Sequence, residues 1–401
     1  MAFNLHRLRD WIPTDLPRLA SWNQADDADV EAESHRPGTA QTGDSADPDA
    51  IEHNGDVDRF SAGGTGARAS AMVLAEPTPI DAGPKSNLDL VNECDNFPYY
   101  QTDPKLYFAH VNTYYALYVK DHPNTELGYL LPSVTEVFRG LPDWRIDDEE
   151  RSLTLVTGRT EAERTQVVQA TIRAMHATGY FKVLSKWRNE LHPVYGPQGE
   201  VLFSMERAAS ALFGITTYGC HMTAYVQGNE DKEQQTRIWV PRRAANKQTY
   251  GGMLDNTVAG GIATGETPFE SLVRESAEEA SLPEELVRKK AKAVGTVTYF
   301  HIRDQRAGGE TRLVQPECQY VYDLELPEDV EPKPSDDEVE SFQLKTVEEV
   351  KESMRNGEFK PNCALVLLDF FIRHGILTME TDENYIEIVS RLHRRLEFPS
   401  P

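Results

Sequence analysis

A chain of 401 residues has room for about two or three domains and a sizeable core. Its formal net charge of -24 argues against nucleic-acid or membrane-surface partners, which need a basic footprint, while a small anionic substrate stays compatible if basic residues line one pocket. The four cysteines, Cys94, Cys220, Cys318 and Cys363, form no CxxC pair, and no apolar run approaches the roughly 20 residues that span a bilayer, so the expectation is a soluble, cytoplasmic protein without zinc or a disulfide framework.

In residues 1–20, Pro13 and Pro17 limit any amphipathic helix, and Asp10 and Asp15 weigh against an import peptide. From residue 23 to about 84, Asp and Glu alternate with Gly, Ala, Ser, Thr and Pro and few aromatics. Such a composition cannot bury enough apolar surface to offset ordering entropy, so 1–86 is expected to be mostly disordered.

Residues 87–217 read as a small α+β domain. A helix or turn in LDLVNECDNFPYYQ precedes a strand rich in Tyr, Val and Leu, and ELGYLLPSVTEVFRG starts strand-like and turns helical before Gly140. TLVTG is a short strand. Val167, Val168, Ile172 and Met175 recur at helical spacing, which predicts a helix over 160–179 ending at Gly179. FSMERAASALFGI reads as an apolar helix. Trp187, Arg188, Asn189 and Glu190 combine an aromatic plane with hydrogen-bonding groups, suited either to holding a substrate ring or to closing the domain with a local ion pair. Lone polar residues on strands, such as His221 and Tyr225, read as satisfied core or surface groups.

Residues 218–401 form the second domain. GCHMTAYVQG and RIWVPRR alternate as two antiparallel strands joined by an acidic loop near Asn229, and a short strand at 257–259 leads to GGIATGETPFESLVRESAEEASL. Thr267 as N-cap, Pro268 at the first helical position and Glu270 three residues on predict a helix that Pro283 stops by about Leu282. Leu272, Val273, Ser276, Ala277 and Ala280 fall inward, and Glu275, Glu278 and Glu279 converge on another face. Like charges at these spacings each cost roughly 0.2–0.5 kcal/mol, and a cation in their midst would offset that. The plain alternative is a solvated acidic face. AVGTVTYF and PECQYVYDLEL then read as strands around a Gly308-Gly309 turn, 338–342 as another strand, and 346–355, 362–373 and 382–396 as helices.

Gly260, Glu266, Arg274, Glu275, Glu278 and Glu279 at their spacings resemble the Nudix box of diphosphate-cleaving hydrolases. Ser276 departs from a usual larger aliphatic or Ala, and Ser281 from the closing glycine. More widely, ECDNFPYY, WRNELHPVY, MERAASALFGITTYG, WVPRRAANK and GMLDNTVAGG resemble a fungal and plant Nudix family related to thiamine pyrophosphokinase. No kinase segment follows, so thiamine phosphorylation is not expected.

The resemblance implies a Nudix α/β/α sandwich with a mixed sheet after a small α+β domain. It also implies Mg2+ or Mn2+ held by Glu275, Glu278 and Glu279, with the Gly260 carbonyl and Glu266, the metal activating water against phosphorus. Arg274 orients a glutamate, and Glu278 or Glu279 assists deprotonation. Arg242, Arg243, Lys247 and Trp187 are the substrate-binding candidates, with Glu317, Glu338 and Glu340 as further ligands or base. Implied substrates are small-molecule diphosphates: oxidised or analogue thiamine diphosphates, or alternatively 8-oxo-dGDP. An isopentenyl-diphosphate isomerase would resemble a pattern with a Cys near the box, and none lies between Cys220 and Cys318. A non-catalytic module would lose the glutamates. The oligomeric state is not specified by these residues.

Overall fold

In the computed structural model the described residues are 83–185, 187–228, 235–247 and 249–401, so the disorder expected before residue 83 and the acidic loop at 229–231 lie outside them. Helix α1 (Asn87–Cys94) opens with a reciprocal capping box between Ser86 and Asp89. Its apolar residues Leu90, Val91 and Cys94 pack against helices near the C-terminus rather than on the strands that follow in sequence. After α2 (Pro104–Val111), strands β1 (Tyr115–Val119), β2 (Tyr129–Leu130), β3 (Trp144–Asp147) and β4 (Ser152–Leu155) form a sheet in the order β2-β1-β4-β3. Helix α3 (Glu161–Ala177) starts at the Thr160–Glu163 capping box and covers that core with Val168, Ile172 and Met175.

Strands β5 (Leu191–Tyr195) and β6 (Val201–Glu206) make a separate hairpin. Here the expected helix in FSMERAASALFGI is corrected: its first four residues are strand, and helical turns begin only at Arg207. The cause is burial on both faces of β6, which erases the alternation that distinguishes a strand from a buried helix. The turn Ser210–Phe213 closes at Gly214, whose φ is +59°. A Cβ there would collide with the Tyr129 carbonyl, and one at Gly128 would lie 2.4 Å from the Phe213 carbonyl, so the two backbones cross where only glycines fit.

The second sheet contains β7 (Thr217–Val226), β8 (Arg237–Arg243), β9 (Val258–Gly261), β10 (Lys292–Ile302), β11 (Val314–Glu325) and β12 (Val339–Thr346). Its order is β10-β11-β7-β8-β12, with β9 on β7; β7 and β11 run parallel, the other pairs antiparallel. All ten residues of β7 are buried. Cys220, Met222 and Ala224 point to one side, towards α4 (Pro268–Ala280) and α5 (Glu284–Lys290). Tyr225 points to the other, where α6 (Val347–Arg355), α7 (Pro361–Arg373), α8 (Tyr385–Leu392) and α1 pack. This is the expected α/β/α sandwich on a mixed sheet. The last helix is shorter than 382–396, because the chain leaves helical geometry at His393 to bury Arg394. No helix among the described residues is long and apolar enough to cross a membrane.

The regions joined in sequence at residue 217 share a core. Phe97 stacks on Phe300 with centroids 4.1 Å apart, and Tyr129 meets Phe398 edge-on. Behind this cluster, fully buried Asp95 accepts from the Phe300 N–H (3.0 Å), Arg391 (3.2 Å) and Arg394 (3.2 Å). One carboxylate thus ties the end of α1 to β10 and to the C-terminal segment. Removing one partner of a buried ion pair strands the other charge, at about 3–5 kcal/mol. Asp95→Ala is therefore expected to lower the free energy of urea unfolding by about 3 kcal/mol or more, while the same substitution at exposed Asp103 changes it by less than half as much.

Candidate active site

Thr267 accepts the Glu270 N–H at 3.4 Å and Pro268 occupies the first turn of α4, as their order dictates. The reciprocal half of the capping box is not made, because the Glu270 carboxylate takes Arg288 through two bonds of 2.7 Å. Ser281 closes the helix in the left-handed region at φ +52°, the conformation a glycine adopts most easily. Leu272, Val273, Ser276 and Ala280 are buried as expected; Ala277 is exposed instead, since the buried arc extends towards Ser271 and Glu279.

The three glutamates separate in their surroundings. Glu278 is exposed, Glu275 is mostly covered, and Glu279 is only 8 % exposed. Arg274 spans the loop and helix: it grips both Glu266 oxygens (3.0 and 3.1 Å), and its Nη1 donates to Glu275 (2.9 Å) and Glu278 (3.0 Å). Glu279 accepts the Ala259 N–H at 3.0 Å. As placed, the carboxylates are therefore shared between Arg274 and the β9 backbone, and among the described residues no three His, Cys, Asp or Glu side chains are gathered as a metal-ligand set. Burial raises the Glu275 carboxyl above its ordinary range. Burial, then the neighbouring Glu275, raises Glu279 well above it.

Gly260 leaves the space that Glu275 fills, for a Cβ at 260 would collide with that carboxylate. On Gly261 the opposing group is Arg207, whose Cζ would lie 2.8 Å from an added Cβ. Arg207 comes from the turn after β6. Its Nη1 donates to Glu190 at 2.8 Å, and Glu190 also meets His192 Nε2 at 3.0 Å. Burial alone would raise the Glu190 carboxyl, but His192 and Arg207 bring it down to about 2.

The charges of two substrate candidates, Arg243 and Lys247, are felt at Glu279. Arg242 donates to the Gly252 carbonyl at 2.7 Å. Arg243 is buried against Asp255 and the carbonyls of Tyr250 (3.2 Å) and Thr249 (3.1 Å), and Lys247 pairs with Glu338. Arg242 and Arg243 thereby hold the 249–255 loop. Trp187 rests against His176, with centroids 4.9 Å apart, and donates to Asn189; it does not line the cavity beside the box. Glu340 is exposed, whereas Glu317 reaches the cavity and accepts from Tyr299, Gln315 and Gln319.

That cavity, of about 230 Å³, opens at Ala259, Gly260 and Gly261 and extends between the β5–β6 region and the second sheet. Arg188, Arg207, Arg303 and Lys360 line it against a single carboxylate, Glu317. His192, His301 and Gln319 also line it, each less than a tenth exposed. Burial holds both histidines below their ordinary range, hence neutral. His192 Nε2 faces Glu190 and His301 Nδ1 faces the Cys94 carbonyl (3.2 Å), so these nitrogens carry the protons. The remaining atoms, His192 Nδ1, His301 Nε2 and Gln319 Oε1, are acceptors with no partner. Glu317 and Arg188 are singled out by the sequence, whereas Arg207, His192, His301 and Gln319 carry no sequence signal of a site. The sequence signal nearest to them is the cluster around Arg188 and Glu190, in the segment that leads into β5.

Two family descriptions match: a domain of unknown function, DUF4743, over residues 99–217, and a NUDIX domain over 223–363. The uncharacterized protein YJR142W of Saccharomyces cerevisiae is 37% identical over 71% of this chain and 84% of its own length. Nudix hydrolase 20, chloroplastic, of Arabidopsis thaliana is 39% identical over 61% of each chain. This chain belongs to the Nudix hydrolase family. The solved structure of DR0079 from Deinococcus radiodurans is 20% identical over 44% of this chain and 97% of its own, with a TM-score of 0.32. As a Nudix hydrolase the protein acts on diphosphate bonds, and enzymes of the family as a rule need a divalent cation.

The residues fit such an ion. The donors are hard oxygens, suited to Mg2+ or Mn2+, and Glu275 and Glu279 repel each other in a buried setting that a cation would relieve. Gly260 leaves the space that brings one of them against the strand.

His221, on the cavity wall, is buried and shares a 2.7 Å hydrogen bond with Asn256; burial, then Lys360, brings it down to about 4 from an ordinary 6.5. The unfolded chain thus takes up a proton below pH 6.5 that the folded Nudix hydrolase refuses until about pH 4. Its contribution is complete above pH 6.5 and is lost as pH falls, by about 3 kcal/mol in all. In denaturant titrations, the stability difference between wild type and His221→Gln should shrink by about that amount from pH 7 to pH 4.

Proposed function

We propose that this Nudix hydrolase splits the terminal phosphoanhydride of a diphosphate borne by an amino-substituted heteroaromatic ring, releasing monophosphate and phosphate. Oxidised or analogue thiamine diphosphates are the first substrates to consider. The observation that carries this reading is the set of unpartnered acceptors, His192 Nδ1, His301 Nε2 and Gln319 Oε1, on three residues that line one cavity beside Gly260. Buried acceptors need donors, and an aminopyrimidine supplies them. The volume is just below the ~300–1,000 Å³ of drug-sized pockets, so it suits one ring system with its linker. The resemblance of ECDNFPYY, WRNELHPVY and GMLDNTVAGG to the thiamine pyrophosphokinase-related family supports the same choice. The guanine edge also presents N–H groups, which keeps 8-oxo-dGDP as the second reading.

Glu275 and Glu279, with the Gly260 carbonyl, are the groups to hold Mg2+ or Mn2+, which when bound neutralises phosphate charge and acidifies a water. Glu266 spends both oxygens on Arg274, and Arg274 in turn sets the position of Glu275. Glu278, exposed on the next turn, meets Arg274 at 3.0 Å and is open to a ligand from solvent. Burial raises the Glu279 carboxyl, which makes it a stronger base than an ordinary carboxylate. Cys220, paired in register with Gly260, is buried with its thiol pushed up to about 12 by burial and then by Glu275, which supports hydrolysis over cysteine-dependent isomerisation. The four free cysteines, three of them buried, support a reducing compartment such as the cytoplasm.

Incubation with Mg2+ and, separately, oxothiamine diphosphate, thiamine diphosphate and 8-oxo-dGDP, with chromatography of the monophosphates, tests the reading. Oxothiamine diphosphate is expected to turn over fastest, and faster 8-oxo-dGDP cleavage would select the second reading. Glu279→Gln is expected to lower kcat by about 10²–10⁴-fold with the fold intact by circular dichroism. Undiminished turnover in that variant would remove Glu279 from the site.

A further inference from the structure

The domain described only as of unknown function, residues 99–217, is not confined to its own core. From its hairpin, the Leu191 carbonyl accepts the Thr264 N–H at 2.7 Å, and Ser204 Oγ meets Thr264 Oγ1 at 3.0 Å. The loop between Gly261 and α4 is thereby seated on β5 and β6. At the end of β6, buried Glu206 accepts the Arg188 N–H (2.9 Å) and the Ala208 N–H (3.2 Å), which fixes the turn that carries Arg207. The Arg207 guanidinium lies over Gly261, on the strand whose preceding glycine makes room for Glu275.

Among the described residues Arg207 spends only Nη1, on Glu190; its Nε and Nη2 hydrogens have no protein partner, although the side chain lines the cavity. A salt bridge to Glu190 alone does not explain this placement. Glu190 is itself backed by His192, so the pair holds the guanidinium flat across the strand with one edge open. The cavity adds Arg188, Arg303 and Lys360 around a lone carboxylate in a chain of net charge -24. A planar fork with a free edge matches two phosphate oxygens, which an ammonium would meet only as a point charge.

We propose that Arg207 is a substrate-binding residue of the hydrolase, through which the N-terminal domain grips the diphosphate over Gly261 and completes the active site. Glu190 and His192 are positioning residues for it. The inference rests on the reading of the 260–279 stretch as the diphosphate-cleaving site, but not on which ring is recognised. Without the N-terminal domain the Nudix stretch would hold the cation and lack its principal arm for the anion.

The test uses the full chain and imidodiphosphate, a ring-free and uncleavable diphosphate, with Mg2+ and calorimetry. Arg207→Gln is expected to weaken imidodiphosphate binding about 10- to 100-fold and to leave Mn2+ affinity, read by electron paramagnetic resonance, unchanged. Arg207→Lys keeps the charge without the fork and is expected to weaken binding about threefold; it carries the test if the Gln variant does not fold. Imidodiphosphate binding equal in wild type and variants, or absent from the wild type, overturns the proposal. So does a parallel loss of Mn2+ affinity, which would mean that Arg207 acts only through Glu275. If no ring-bearing diphosphate is cleaved and Arg207→Gln still loses imidodiphosphate, the substrate reading fails and this one stands.

Discussion

Two consecutive residues without side chains, Gly260 and Gly261, are the constraint on which the site depends. A Cβ at either position would occupy space already filled by the Glu275 carboxylate or the Arg207 guanidinium. The strand therefore brings an anion donated by the following helix and a cation donated by the preceding domain against its own backbone. The pairing of β9 with β7 fixes that strand in the most buried part of the sheet, and the packing of Leu272, Val273 and Ala280 fixes α4 upon it. Ser281 completes the helix in the left-handed conformation at some cost in local stability, and the pattern of buried residues before it is preserved.

Charge is distributed against the composition of the chain. An excess of carboxylates covers the molecule, yet the cavity beside the glycines is walled by Arg188, Arg207, Arg303 and Lys360. Burying guanidinium groups costs energy unless carboxylates or carbonyls accept from them. Arg207 has Glu190, and Arg303 has Gln315 and the carbonyls of Ala307 and Gly308 at 2.8–2.9 Å. His192, His301 and Gln319 on the same walls each keep one polar atom without a partner, at a cost that an apolar core would not incur.

The sequence and the structure agree where the information is local. The N-cap Thr267 with Pro268 and the period of α3 both follow from neighbours within about one or two helical turns. The spacing from Gly260 to Glu279 was legible because a helix face and the strand before it are set by the same short stretch. The run around Phe203 was misread as helix because a strand buried on both faces has no alternation to detect. Arg242, Arg243 and Lys247 carry the right charge for phosphate, and only the structure shows that each also has a partner within the chain, the Gly252 carbonyl, Asp255 and Glu338.

The sequence by itself determined the family, the glutamate helix and the mixed sandwich, since each is written in residue types at short, periodic spacing. Only the tertiary structure decided which carboxylates are buried, which cations are free, and that Arg207 and His192 share a cavity with His301 and Gln319. More than 90 residues separate these pairs along the chain. Their meeting depends on how the β5–β6 hairpin docks on the second sheet, and that docking is set by packing and by single contacts, such as the Thr264 N–H to the Leu191 carbonyl, that leave no periodic trace in the sequence.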